Sequence, residues 1–322
     1  MSLPGILKNN MTIPVIGSPL FILSNPKLVI EQCKAGIVGS FPALNARPAE
    51  KLGEWLTFIK QELEDYKQQN PDAKVAPFAV NQIVHPSNDR LEQDMAVCVE
   101  HKVPIIITSL HAPTEIVRAA HSYGGLVFHD VTNIKHAKKA LSVGVDGLIL
   151  VTAGAGGHAG TLNPFALLTE IRQFYDGTVI LGGSITRGNH VLSAEVMGAD
   201  LAYIGTRFIA THEANADDTY KQMVVDSTAS DIVYTNLFTG VHGNYLRGSI
   251  ENVGLDPDNL VSSDKSKMSI GSKGSAKGKA WRDVWGAGHG VGNITSVTSA
   301  ADVISQLREE YAEAREKMIA AS

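Results

Sequence analysis

Cysteine is scarce in this chain: Cys33 and Cys98 are the only 2 among 322 residues, and each falls in a stretch that reads as helix. That excludes a disulfide framework and a cysteine-based metal cluster, and it suits a reducing compartment. Basic charge is not in excess either, with 28 Lys and Arg against 33 Asp and Glu and a formal net charge of -5. Such a chain offers nucleic acid no electrostatic footprint. No apolar run approaches the roughly 20 residues of a membrane span, and the first ten residues lack a charged leader followed by an apolar core. The expectation is a cytoplasmic protein without a membrane or nucleic-acid partner. Also missing is a G-x-G-x-x-G that opens a βαβ unit with an acidic residue about twenty positions on, so a dinucleotide-binding Rossmann domain is not expected.

What the chain does contain is a repeat. Short apolar runs recur at residues 13–16, 36–40, 77–81, 104–108, 126–129, 147–151, 179–182 and 201–204, with helical stretches between them. Strands buried on both faces read as continuous apolar runs, and parallel neighbours need a crossover that is usually a helix. Eight such units predict an α/β fold, a (β/α)8 TIM barrel. The helices carry their own signals. Ser24 and Asn25 stand as caps before a helix over 26–35, a long amphipathic helix covers 48–69, and Pro113 opens one that stops before Gly124 and Gly125. Asn133 opens another that closes at Gly144, and one over 188–197 closes at Gly198.

Beyond residue 204 the repeat stops. A helical segment at 217–227 and an extended one at 232–238 predict a C-terminal, mainly helical extension or small subdomain. The expected division is a barrel core over 1–211, an insertion with a lid-like loop over 212–299, and a terminal helix over 300–322 that packs back on the barrel. The stretch 262–279 sets Lys265, Lys267, Lys273, Lys277 and Lys279 against Asp264 among serines and glycines, and it reads as a solvated loop.

In a barrel, functional groups gather at the carboxyl ends of the strands. The sixth run leads into A-G-A-G-G-H-A-G at 153–160, one histidine among four glycines. With an ordinary pKa of about 6.5, His158 suits acid or base work near neutral pH, although a lone loop histidine is commonly a bystander. The seventh run leads into L-G-G-S-I-T-R-G at 181–188 and the eighth into G-T-R-F at 205–208. One such glycine pair would be a tight turn. Two of them on adjacent strands describe the phosphate cradle common in barrels, formed by the loops after the seventh and eighth strands. Asn81 closes the third run and either meets a heterocycle edge or caps its strand. His129 and Asp130 end the fifth run, and no ligand spacing accompanies His129, so no metal is expected. Ser18 and Pro19 after the first run either present backbone to the ligand or simply turn the chain. W-G-A-G-H-G-V-G at 285–292 reads equally as a lid or as a connection into the last helix.

As a set these motifs resemble the nitronate monooxygenases, also called 2-nitropropane dioxygenases, which are FMN-containing barrel enzymes. The likeness is carried by A-G-G-H-A-G at 155–160, V-N at 80–81, the loop at 182–188 and G-A-D-x-x-x-x-G-T-R-F at 198–208, with a weaker echo at 287–292. It implies FMN at the carboxyl end of the barrel, its phosphate on Gly183, Ser184, Gly205 and Thr206 and its ring against Asn81. Ser18, His129, Gly157 and Gly182 join the implied cofactor contacts, and His158 is the implied catalytic acid or base. The implied reaction is that of a monooxygenase: an alkyl nitronate reduces the flavin, and O2 completes conversion to a carbonyl compound and nitrite. A neutral nitroalkane first loses a carbon-bound proton. Two departures stand out, a serine in G-G-S-I where the family reads G-G-I, and Asp130 where some relatives carry lysine. The A-G-G-H signature is also similar to flavin-dependent enoyl-acyl carrier protein reductases and to quinone reductases that use NADH. NAD(P)H-dependent reduction of a quinone or enoyl thioester is therefore the alternative, ahead of a non-redox barrel that binds a phosphorylated metabolite. An oligomer is compatible with each.

Overall fold

A computed structural model of the chain describes residues 3–263 and 281–321. The apolar runs form strands because each is flanked by turn residues and offers both faces to packing. In chain order these are β1 (Val15–Gly17), β2 (Gly39–Pro42), β3 (Phe78–Val84), β4 (Ile105–Leu110), β5 (Leu126–Val131), β6 (Gly147–Val151), the short β7 (Gly157–His158), β8 (Thr178–Gly182) and β9 (Leu201–Ile204). All but β7 form one parallel sheet ordered β1-β9-β8-β6-β5-β4-β3-β2. A parallel bridge from Ile16 to Val38 joins its two ends, with Gly17 N–H donating to the Val38 carbonyl at 2.8 Å. The sheet is thereby a closed eight-stranded barrel, as expected.

Alternation along the strands separates two cores. Ile16, Val38, Ala79, Ile105, Ile107, Phe128, Ile149, Ile180 and Leu201 fill the interior, with Leu7 and Met11 from the N-terminal segment. Their neighbours in sequence, such as Val80, Ile106, Val127, Leu148 and Val179, face the surrounding helices. The helices start where their caps place them: Asn25 Oδ1 accepts the Leu28 N–H for helix Pro26–Lys34, and Asn133 Oδ1 accepts the His136 N–H for helix Ile134–Leu141.

The fifth strand runs to Val131, two residues past the run read from sequence. This changes the meaning of the His129 and Asp130 pair, because adjacent strand residues point to opposite faces.

The region after the barrel supplies strands as well as helices. Helices Asp218–Asp226 and Arg247–Asn252 flank β10 (Ile232–Thr235) and β11 (Gly243–Leu246), which pair antiparallel. β11 also pairs with β7, setting Gly243 opposite His158 and Asn244 opposite Gly157. The residues I-V-Y-T of β10 are β-branched or aromatic, which favours a pleated surface over a helix. Helix Ala300–Ala320 buries Val303, Ile304 and Leu307 and lies along helix Gly188–Val196, where the Gly188 N–H donates to Glu310 at 2.8 Å. The lysines at 265, 267, 273, 277 and 279 lie outside the described residues. No helix among the described residues is long and apolar enough to cross a membrane.

Candidate active site

A cavity of about 630 Å³ opens at the carboxyl ends of the strands. That volume suits a cofactor together with a small substrate. Its floor is the last inward-facing layer of the barrel: Ser18, Asn81, Ser109, Asp130, Val151, Gly182 and Tyr203. Its walls hold Gly183, Ser184, Gly205 and Thr206 on one side and Gly157 and His158 on another. The residues named from sequence for the cofactor and for catalysis are therefore brought together, with one exception.

The exception is His129. Its neighbours Phe128 and Asp130 point inward, so His129 points outward into the helical layer, where its Nδ1 lies 2.8 Å from the Thr108 hydroxyl. It is 3% exposed and does not line the cavity. Burial pushes its pKa down to about 4, so it sits there as a neutral packing residue. The one-residue offset that removes His129 puts Asp130 on the floor in its place.

The floor carries a directed chain of hydrogen bonds. Asn81 Nδ2 donates to Ser109 Oγ at 3.0 Å, and Ser109 donates to Asp130 Oδ2 at 2.6 Å. Asp130 Oδ1 has no partner within the protein. Burial raises the Asp130 carboxyl to about 7, and only the Ser109 hydrogen bond opposes it. Tyr203, also on the floor, is pushed well above its ordinary range, first by burial and then by Asp130.

The cradle is made of backbone. The amides of Gly183, Ser184, Gly205 and Thr206 make no backbone hydrogen bond, which leaves them as donors toward the cavity. Gly183 sits at φ +142, and a Cβ there would collide with the Thr152 hydroxyl and the Ala153 carbonyl. Its lack of a side chain thus serves the fold of the loop itself. The Thr206 hydroxyl is engaged by the Gly288 N–H at 2.9 Å, so the amide is what Thr206 offers.

His158 is delivered by the other part of the chain. It is half-buried and its open side faces the cavity. Nε2 lies 2.9 Å from Thr239 Oγ1, and that hydroxyl donates to the Val241 carbonyl at 3.0 Å. With its hydrogen so engaged, Thr239 accepts the Nε2–H, and Nδ1 keeps the free lone pair. Trp281 packs edge-on against the imidazole at 5.3 Å between centroids. Burial lowers the imidazole pKa to about 4, so the ring is neutral at pH 7, with a free lone pair that holds a proton less tightly than an ordinary imidazole does.

The stretch 285–292 is fastened down on both sides. Gly288 N–H reaches Thr206, His289 N–H reaches the Gly154 carbonyl at 3.0 Å, and the Tyr220 hydroxyl reaches the Gly286 carbonyl at 2.6 Å. Trp285 stacks on Tyr220 at 4.8 Å, and Ala287 and Val291 are fully buried.

Ser109, Tyr203, Thr239 and Trp281 were not singled out by sequence. Ser109 is one residue past the end read for the fourth run, and Tyr203 was taken as part of an apolar run. Nothing local marks Thr239 or Trp281, which reach the site only through pairing distant in sequence.

Comparison with known proteins places this arrangement. The nitronate monooxygenase family model matches residues 26–310. A nitronate monooxygenase of Paraburkholderia phytofirmans is 24% identical, with 95% of this chain and 94% of that protein covered. A Rhodococcus jostii enzyme, (3aS,4S,5R,7aS)-5-hydroxy-7a-methyl-1-oxo-octahydro-1H-indene-4-carboxyl-CoA dehydrogenase, is 24% identical over 74% of this chain and 64% of its own. The crystal structure of nitroalkane oxidase from Streptomyces ansochromogenes superposes with a TM-score of 0.76 at 22% identity, covering 98% of this chain and 100% of that one. With the family model spanning most of the sequence over a barrel of this kind, the chain belongs to the nitronate monooxygenase family and is an oxidoreductase of that flavin-dependent type.

Proposed function

We propose that this chain is an FMN-dependent enzyme that oxidises nitroalkanes and their nitronates with O2 to a carbonyl compound and nitrite. The observation that carries the reading is the imidazole of His158, held neutral at the cavity wall with Nε2–H on Thr239 and Nδ1 free. Proton removal from the carbon beside a nitro group needs such a base.

The residues present fit FMN. Unpaired amides at Gly183, Ser184, Gly205 and Thr206 suit its phosphate, and the polar floor at Asn81 and Asp130 suits the edge of its ring. Bound FMN supplies the two-electron acceptor that O2 reoxidises. Ser18, Gly157 and Gly182 complete the implied contacts, and His129 does not join them. Among the described residues, the barrel within 1–211 holds the cofactor, those of 212–299 cover it, and helix Ala300–Ala320 braces the barrel from outside.

In this reading His158 Nδ1 takes the proton from the substrate carbon. The imidazolium so formed in a dry cavity is balanced by the nitronate anion formed beside it. Thr239 fixes the tautomer that leaves Nδ1 unprotonated, and Trp281 with the 285–292 stretch excludes water.

The second reading, NAD(P)H-linked chemistry on a thioester, is favoured by the Rhodococcus relative, whose name gives it a coenzyme A thioester. Anaerobic mixing of the purified protein separates the two. Bleaching of the flavin by an alkyl nitronate and not by NADH or NADPH is the expected result; bleaching by a nicotinamide alone overturns the first reading.

A further inference from the structure

The two halves of the phosphate cradle stand on different strands, and the sheet stops holding them together just below it. β8 and β9 pair only as far as Gly182 opposite Tyr203. Among the described residues, no backbone hydrogen bond joins 183–187 to 205–208. Four amides that converge on one phosphate must nevertheless keep their spacing to within about half an ångström. The link is made by side chains of the terminal helix.

Gln306 and Glu310 lie one turn apart on helix Ala300–Ala320, and Gln306 Nε2 donates to Glu310 Oε1 at 2.9 Å. Toward the first loop, Glu310 Oε2 accepts the Gly188 N–H at 2.8 Å, and Oε1 pairs with Arg187 Nη2 at 3.2 Å. A Cβ on Gly188 would collide with the Leu307 carbonyl and the Tyr311 amide, so glycine is what lets the helix come this close. Toward the second loop, Gln306 Oε1 accepts from Arg207 Nη2 at 3.2 Å. Arg207 directly follows the Thr206 of the cradle and is 6% exposed, and its Nη1 has no partner. The series Arg187, Glu310, Gln306, Arg207 therefore spans both loops from outside. On the cavity side a second span ties the same loops, with the Gly288 N–H on Thr206 and Asn293 Nδ2 on Thr186 Oγ1 at 3.2 Å.

We propose that Gln306 and Glu310 are positioning residues for the cofactor phosphate, holding the amides of Gly183 and Ser184 in register with those of Gly205 and Thr206, although neither side chain lines the cavity. The assignment rests on the FMN reading above. Charge alone argues the opposite sign: a carboxylate behind a phosphate site repels the phosphate, so its removal would tighten binding. Under a positioning role the same removal weakens binding. Replacing Gln306, which is neutral, leaves every charge in place and acts through geometry.

The test is the dissociation constant of the full-length chain for FMN, and in parallel for riboflavin, read by quenching of flavin fluorescence. Riboflavin lacks the phosphate, so the ratio of the two constants isolates the cradle from any general loss of stability. Gln306→Leu and Glu310→Leu should each weaken FMN about three- to tenfold, no more than one hydrogen bond's worth because the cavity-side span persists. Riboflavin should bind both variants as it binds the natural chain. Gln306 is exposed, so its replacement leaves the packed core intact. Glu313→Leu, which removes an exposed charge from the same helix outside the span, should change neither ligand. FMN affinity unchanged or tightened in Gln306→Leu or Glu310→Leu, or an equal loss for both flavins, overturns the assignment while leaving the FMN reading intact. A natural chain that binds FMN no more tightly than riboflavin overturns the cradle, and the FMN reading with it.

Discussion

The floor and the cover of this cavity are built by opposite means. On the floor, Ser18, Asn81, Ser109, Asp130, Gly182 and Tyr203 stand at the ends of strands whose neighbours are locked in the barrel. The cover comes from β7, the β10–β11 hairpin, Trp281 and the 285–292 stretch, joined to one another by only a few hydrogen bonds across large sequence separations. Rigid strand ends suit the holding of a cofactor, because their positions are fixed by the whole sheet. The imidazole of His158, the proposed base, sits on the cover, outside the barrel sheet. The contrast predicts that changes to the cover alter turnover and spare flavin binding, whereas changes to the floor and cradle do the reverse.

The most severe test is His158→Ala. Turnover of a neutral nitroalkane should fall about 10²- to 10⁴-fold, the usual contribution of a general base, while bound flavin is retained and a preformed nitronate is affected far less. Steady-state rates with the two substrates, beside the flavin absorbance of the purified variant, provide the check. Loss of flavin in this variant would break the division between floor and cover. From the other side, Gly183→Val strains a backbone at φ +142 and drives a side chain into Thr152, so the amides of Gly183 and Ser184 leave their places. FMN affinity should drop about 10- to 100-fold, as for the loss of a charge-assisted hydrogen bond, and fluorescence titration measures it.

A smaller effect is expected at Thr239. Thr239→Val removes the acceptor for Nε2–H and lets the imidazole change tautomer, so the rate with neutral nitroalkane should fall about tenfold. Thr239→Ser should restore it, which a packing role alone would not produce. Trp281→Leu removes the edge contact with the ring and should lower the same rate a few-fold, the worth of one aromatic pair.

The smallest effect is the pH response of the base. With the folded-state pKa of His158 lowered to about 4, turnover of neutral nitroalkane should be flat in His158 ionisation above about pH 5 and decline only below it. The sign for stability follows from linkage. An unfolded histidine titrates near 6.5 and the folded one near 4, so the unfolded chain binds more protons in that window. The His158 contribution to stability is therefore present above 6.5 and lost as pH falls toward 4. Denaturant titrations of the natural chain and His158→Ala should converge as the pH is lowered across this range.

The division between floor and cover also explains what was legible in the sequence. Barrel strands declare themselves because each is a continuous apolar run, and the glycine loops at 182–188 and 205–208 are contiguous in the chain. The error at His129 arose from ending a strand two residues early, since period-two alternation turns a small boundary shift into a change of face. Ser109 was hidden by the same kind of shortfall at the fourth strand. Of the cover, the sequence singled out His158 and the 285–292 stretch; Thr239 and Trp281 were not legible, because they gain their meaning from their contacts with β7 and carry no local signature of it. Nor was the raised pKa of Asp130, which comes from its burial on the barrel floor, a property of several strands together.

The hydrogen bond from His158 to Thr239 joins positions 81 residues apart, and it bears on how the enzyme comes into being. During synthesis the imidazole emerges well before the hydroxyl that sets its tautomer, and the first seven barrel strands precede both β9 and the hairpin. Until residues 232–246 have emerged and paired, nothing fixes the tautomer of His158. On the role proposed for His158, its unprotonated Nδ1 is thus set only once the last third of the chain supplies Thr239.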